Sequence, residues 1–205
     1  MTNELGPVTL RPTKYLMDHL SANPVDIYAD LSGVPRDAPE LQPAQAVCNE
    51  LVENPIVGKY RRFLPIAQAF AQMSKDTSTK VGAIVLGTNF EVRSSGWNGA
   101  PRGSRADVDE RAERPEKYQW FSHAEMNAIA QAAMVGSPLN GCVMIITHAP
   151  CMICARLIVQ AGIERVVCPK PTGEFAERWA EDLTRMRRLF DECGVYLIEL
   201  EEGQP

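Results

Sequence analysis

Two short runs in this 205-residue chain hold residue types that bind metal and move protons: His123-Ala124-Glu125 and Pro150-Cys151-Met152-Ile153-Cys154. Cysteines at i and i+3 share one face of a helical turn, so Cys151 and Cys154 can reach a single ion, with the His123 imidazole as a third ligand. Three protein ligands leave a fourth position for water, which is the plan of an open, hydrolytic zinc site. Zinc in such a site brings the acidity of water towards neutral pH, and Glu125, two positions from the ligand, need not coordinate. It can take the proton and deliver it to a substrate ring nitrogen and then to a leaving amine. A bare Cys-x-x-Cys also fits half of a closed zinc knuckle, but that requires a second ligand pair. Cys48, Cys142, Cys168 and Cys193 lack ligand spacing and read as small buried hydrophobes. His19 falls in a proline-rich stretch, and His148, three residues before Cys151, reads as a surface or supporting residue.

The elements around these runs explain how they meet. Prolines crowd the first 55 residues (Pro7, Pro12, Pro24, Pro35, Pro39, Pro43, Pro55), so residues 1–55 read as an arm with one short helix over Ala44–Glu53, and residues 56–205 as the domain. Phe63, Ile66, Phe70 and Met73 recur at helical spacing, with Pro65 at a start or kink. Val81–Leu86 and Val92–Trp97 read as a hairpin turned by Gly87-Thr88-Asn89. A mixed-charge segment follows from Asn98 to Tyr118, read as a solvated loop. Beyond it helix and strand alternate: helix His123–Met134, strand Cys142–Thr147, helix Cys151–Ala161, strand Arg165–Cys168, helix Gly173–Cys193, strand Val195–Leu200. Gly162 and Gly194 are placed to end helices. Met126, Ile129, Ala130 and Ala133 read as the core face of the first of these helices.

Alternation of this kind predicts an α/β fold: a three-layer αβα sandwich whose mixed five-stranded sheet opens with an antiparallel hairpin and continues with parallel strands. In such a sheet the N-termini of crossover helices line the edge beyond the strands' carboxyl ends, where ligands bind, and both runs sit at helix N-termini. Composition is that of a globular protein, with 45% hydrophobic and 23% charged residues. The net charge of −5 disfavours a long polyanionic partner, no stretch reads as a membrane span, and the start of the chain lacks the pattern of a secretory signal. A cytoplasmic protein is expected.

The combined His-x-Glu and Pro-Cys-x-x-Cys signature resembles that of the zinc nucleobase deaminases. More closely, the chain resembles the deoxycytidylate (dCMP) deaminases of the cytidine deaminase superfamily. The resemblance rests on Ser74-Lys75-Asp76, Lys80-Val81-Gly82-Ala83, Gly96-Trp97-Asn98-Gly99-Ala100-Pro101-Arg102-Gly103, His123 to Ile129, Pro150 to Ile158 and Gln160-Ala161-Gly162-Ile163. It implies zinc-dependent hydrolysis of dCMP to dUMP and ammonia, with Zn2+ on His123, Cys151 and Cys154 and Glu125 as proton shuttle. It further implies that Asn98 contacts the sugar and that main chain around Ala124 and from Thr147 to Pro150 holds the pyrimidine edge. Lys75, Lys80 and Arg102 are the cations expected near the 5′-phosphate. Trp120 and Phe121 are aromatic groups that could stack on a base or cap the core.

By the same resemblance the protein is a homo-oligomer, a hexamer, controlled by dCTP and dTTP through the Asn-Gly-x-Pro-x-Gly segment, although Trp97 stands where the family often has tyrosine. Deaminases of 5-substituted dCMP, free nucleosides, guanine, pterins or tRNA adenosine share the motifs. The last needs a basic RNA-binding face that the net charge and the tail Glu199-Leu200-Glu201-Glu202 do not offer. A non-catalytic, zinc-stabilised regulator is the reading from another class; Glu125 argues against it, because a structural metal has no use for that carboxylate.

Overall fold

The computed structural model describes residues 55–106 and 110–201. The arm expected over residues 1–55, with its helix at Ala44–Glu53 and with His19 and Cys48, lies outside the described residues up to Asn54, as do Asp107 and Asp109.

Five strands form one sheet: β1 (Gly82–Leu86), β2 (Val92–Trp97), β3 (Val143–Ile146), β4 (Arg165–Pro169) and β5 (Tyr196–Leu200), in the order β2-β1-β3-β4-β5. β1 runs antiparallel to both β2 and β3, while β3, β4 and β5 are parallel. Since β1 opposes both of its neighbours, β2 runs the same way as β3. The segments leaving β2 and β3 therefore emerge at one edge of the sheet. This is the mixed sheet expected, with every strand but β1 pointing the same way. β1 and β3 are buried along their whole length and carry a continuous apolar run, as strands covered on both faces must.

The helices cover the two faces. On one, after α1 (Pro55–Arg61), lies α2 (Leu64–Ala71), which Pro65 begins, one of the two places expected for it. Pro65 sits in the first turn of α2, where its missing N–H removes no helical bond. The face that α2 buries is Ala67 and Ala71, whereas Ile66 and Met73 of the expected stripe are exposed. The cause is Gly82: a Cβ there would lie 2.0 Å from the Ala67 carbonyl oxygen and 2.5 Å from the Ala71 nitrogen. Backbone packs on backbone, and only small side chains fit between.

The other face carries α4 (Ala124–Val135), α5 (Met152–Gln160), α6 (Gly173–Arg178) and α7 (Ala180–Cys193). A short helix α3 (Lys117–Trp120) precedes α4. Ala83 and Val85 of β1, Met144 and Ile146 of β3, Val166 and Cys168 of β4 and Leu197 of β5 join Ala128, Ile158, Met186 and Phe190 in this core. Alternation along each strand sends the intervening residues to the opposite face. α4 buries Ala124, Ala128 and Ala132, while Ala130 and Ala133 of the expected core face are exposed. Gly96 explains this in the same way, since a Cβ there would lie 2.4 Å from both the Ala124 oxygen and the Ala128 nitrogen. The Ser94 hydroxyl donates to the Ala128 carbonyl across the same contact (2.6 Å).

The helix expected over Gly173–Cys193 is two, broken at Trp179. Leu183, Met186 and Phe190 of α7 are buried as expected, but Phe175 and Trp179 turn towards a cavity instead. Gly162 and Gly194 follow α5 and α7 with φ of 72° and 70°, the left-handed stop that glycine favours. Cys142 and Cys168 are buried as expected and Cys193 is exposed.

The two tight approaches make a contrast that can be measured. Gly96→Ala should destabilise the protein by about 1–3 kcal/mol in urea unfolding, as overpacking does. Gly58→Ala, with nothing within 4 Å of the added carbon, should be neutral or slightly stabilising through helix propensity.

Candidate active site and metal centre

His123 and Cys151 occupy equivalent places. Each is the extended residue immediately before a helix, His123 (φ −76°, ψ 161°) before α4 and Cys151 (φ −75°, ψ 167°) before α5. Neither side chain caps its own helix. Because β2 and β3 run the same way, both helix starts open at the same sheet edge. The His123 Nδ1 lies 3.4 Å from the Cys151 Sγ and 3.4 Å from the Cys154 Sγ. All three ligand atoms fall within 4.8 Å of one another, the cluster of this kind among the described residues.

These positions fit a tetrahedral ion. With Zn–S near 2.3 Å and Zn–N near 2.1 Å, tetrahedral angles place nitrogen and sulfur about 3.6 Å apart. The donor set is that of zinc: two sulfurs and one imidazole. Contact with the Cys154 thiol, opposed by burial and reinforced by His123, brings Cys151 down to about 4, and the same contact pushes the Cys154 thiol up. A cation that takes both sulfurs as thiolates releases their protons on binding. Glu125, in the first turn of α4, is buried beside them, and burial holds its carboxyl at about 7.

The cluster opens into a cavity of about 520 Å3. His123, Ala124, Glu125 and Cys151 line it, with Ala149 and Pro150 from the segment after β3 and Phe175, Trp179 and Leu183 from the far side. The His148 ring stands edge-on to Phe175, with centroids 5.8 Å apart, and also faces the cavity, while Cys154 lies behind. Phe121 lines the cavity, but Trp120 does not; it lies under the Arg111 guanidinium at 4.9 Å.

The residues expected to meet substrate divide. Asn98 and Ala124 line the cavity; Thr147, Lys75, Lys80 and Arg102 do not. The Thr147 hydroxyl accepts from the Gly82 N–H (3.1 Å) and ties β3 to β1. Arg102 lies along α4, donating to the Gln131 side chain and to the Met134 sulfur. The cations that do face the cavity are Arg114, Lys117 and Arg178.

Lys117 is the largest departure from the expected solvated loop. Its ammonium is buried and donates to Asp76 Oδ1 (2.9 Å), Asp76 Oδ2 (2.8 Å) and the Ser78 hydroxyl. Asp76 also accepts from the N–H groups of Ser78 (2.8 Å) and Thr79 (3.1 Å) and from the Asn98 amide (3.2 Å). The second Asn98 amide hydrogen goes to the Thr79 carbonyl (2.8 Å), and Oδ1 accepts from the Val81 N–H (2.8 Å). Both Asn98 donors are thereby committed, leaving a lone pair of Oδ1 for a ligand. An Asp followed at two positions by Ser is a turn signal that could have marked Asp76. Lys117, one of many charges in its segment, had no such mark. Just beyond, Gly99 and Ser122 exchange two main-chain hydrogen bonds (3.0 and 2.9 Å) immediately before His123.

The family described as the cytidine and deoxycytidylate deaminase zinc-binding region matches residues 58–170. A deaminase encoded in the luxG 3′ region of Aliivibrio fischeri is 41% identical over 137 residues, 66% of this chain and 88% of that protein. The deoxycytidylate deaminase of Mus musculus is 35% identical over 138 residues, covering 65% of this chain and 74% of that one. Among solved structures, the dCMP deaminase of cyanophage S-TIM5 in complex with dCMP and dUMP superposes with a TM-score of 0.54 at 26% identity, over 72% of this chain and 98% of that one.

The Asp76–Lys117 pair predicts a coupled loss. Lys117→Met strands a buried carboxylate and should lower stability by about 3 kcal/mol or more. The double variant with Asp76→Asn should lose less than the two single losses together. Burial pushes the Asp76 carboxyl up, but hydrogen bonds from Lys117, Ser78 and Thr79 outweigh it, so its pKa lies below the ordinary value. Its contribution is then complete above the unfolded carboxylate pKa and fades as pH falls through the lowered folded one. The urea-stability gap between wild type and Asp76→Asn should narrow on acidification; a gap constant from neutral to strongly acidic pH would contradict this.

Proposed function

Because the chain belongs to the deoxycytidylate deaminase family of the cytidine deaminase superfamily, and is a hydrolytic deaminase, we propose that it converts dCMP and water to dUMP and ammonia. The observation that carries this reading is the convergence of His123, Cys151 and Cys154 at one cavity wall with Glu125 buried beside them. In this reading the domain is residues 56–205, and zinc is held by those three side chains. When bound, zinc supplies Lewis acidity that brings the deprotonation of water into the neutral range.

The chain's own groups do the rest. Glu125 accepts the proton that water gives up on attacking the carbon that bears the amino group. It passes that proton to the adjacent ring nitrogen; on collapse of the adduct it takes the proton of the newly added hydroxyl, whose oxygen becomes the carbonyl, and gives it to the amine as the C–N bond breaks and ammonia leaves. Its burial suits the task, since removal from water raises the carboxyl above its ordinary value and so towards the range where it can both take and give a proton. The apolar wall of Phe175, Trp179 and Leu183 limits water around the ring. Main chain at Ala124 and Ala149 borders the space for the pyrimidine edge, and the Asn98 Oδ1 accepts from the sugar. The 5′-phosphate lies towards Arg114 and Arg178, the cavity cations not tied into the Asp76 network, rather than towards Lys75, Lys80 or Arg102.

Ammonia release from dCMP, CMP, deoxycytidine and 5-hydroxymethyl-dCMP by zinc-loaded protein is the direct test. Glu125→Gln should keep one zinc per chain and lose kcat by at least about 100-fold, the usual weight of general acid–base catalysis; unchanged turnover would sink the mechanism. Arg114→Ala and Arg178→Ala should each raise KM for dCMP by about 10-fold, the scale of a charge-assisted hydrogen bond. KM for deoxycytidine should not move.

A further inference from the structure

We propose that Asp182 is a positioning residue for the cysteine ligands, acting on them from another helix. A helix N-terminus leaves its first N–H groups without partners, and the residue at the N-cap ordinarily turns its side chain back to accept from them. In α5 that residue is Cys151, whose sulfur faces His123 and makes no cap bond. The N–H of Met152, the first residue of α5, donates instead to the Asp182 Oδ2 at 2.8 Å.

Asp182 lies in the first turn of α7, and its neighbour Leu183 is buried with Met186 and Phe190 against the sheet. The carboxylate is thus fixed by the core and grips the peptide that follows Cys151. Pro150, buried, restrains the peptide that precedes it. The main chain of Cys151 is held from both sides, and the Ala155 N–H to Cys151 carbonyl bond (2.9 Å) carries that placement into the turn bearing Cys154. Asp182 therefore sets the spacing and direction of both sulfurs without touching either. A carboxylate here also sits at the positive end of the α5 dipole, which stabilises the turn.

This inference rests on the reading of His123, Cys151 and Cys154 as a zinc site, and zinc affinity tests the two separately. Full-length wild type, Asp182→Ala and Asp182→Asn are to be titrated with zinc against a chromophoric chelator, with thermal unfolding of each apo protein measured alongside. Asp182→Ala should bind zinc 10–100-fold more weakly, the range found when groups that orient metal ligands are removed. Asp182→Asn retains an oxygen acceptor for the Met152 N–H and should recover affinity to within about 3-fold of wild type. Exchange of the Met152 amide hydrogen should be fast in the alanine variant and slow in the asparagine one. Wild-type affinity in a folded Asp182→Ala protein would overturn the positioning role and leave the zinc site standing. Equal weakening in both variants would overturn it too, since charge and not the hydrogen bond would then matter. A wild-type protein that takes up no zinc would overturn both.

Discussion

Three ligand atoms on two helices can share an ion only if the helices begin at one place, and here that depends on strand direction. β1 lies between β2 and β3 and opposes both, so the two outer strands point the same way and deliver α4 and α5 to the same edge. The partners in this meeting are 28 residues apart in sequence for His123 and Cys151. The separation is bridged by α4 itself, which must lie flat against β2 to return the chain to β3. Gly96 permits that close approach, and Gly82 does the same for α2 on the opposite face. The site therefore rests on the missing methyl group of Gly96 as much as on its ligands.

Electrostatics divides between two centres. At the metal cluster, neither N-cap side chain caps its own helix, and the positive ends of two helices face the two sulfurs and the Glu125 carboxyl. The protein supplies partial positive charge where the ligands carry negative charge. At the other wall, Asp76 gathers donors from Lys117, Ser78, Thr79 and Asn98 into a closed network. A buried ion pair of this sort is tolerated because nearly every lone pair and proton is satisfied. It joins the segment before β1 to the segment before α4.

Much of this was legible in the sequence because it is local. The Cys-x-x-Cys and His-x-Glu spacings, the alternation from His123 onwards, the hairpin around Gly87 and the stops at Gly162 and Gly194 each follow from neighbours within a few residues. What was not legible is contact at long range. Periodicity alone favoured the large side chains Ile66 and Met73 for burial, whereas α2 packs by Ala67 and Ala71 because a glycine on a distant strand lets the backbones touch. The same error recurs in α4, where Ala128 and Ala132 replace Ala130 and Ala133. Lys117 read as one surface charge among many, because its partner is 41 residues away. Lys75, Lys80 and Arg102 were placed near a ligand by their distance from strand ends along the chain. Arg114 and Arg178 reach the cavity through tertiary folding.

The pair of main-chain bonds between Gly99 and Ser122 has a bearing on how such a protein can change. They pinch shut the base of the excursion that leaves β2 and returns just ahead of His123. Segment length above that pinch is decoupled from the position of the imidazole below it. The entropy of closing a longer excursion rises only logarithmically, by about 0.6 kcal/mol for each doubling. Chain length above the Gly99–Ser122 bonds can thus change with little effect on the ligand geometry, so long as Lys117 keeps its seat. The fold separates a rigid reaction centre from an interchangeable rim, and substrate preference can drift there without the chemistry being rebuilt.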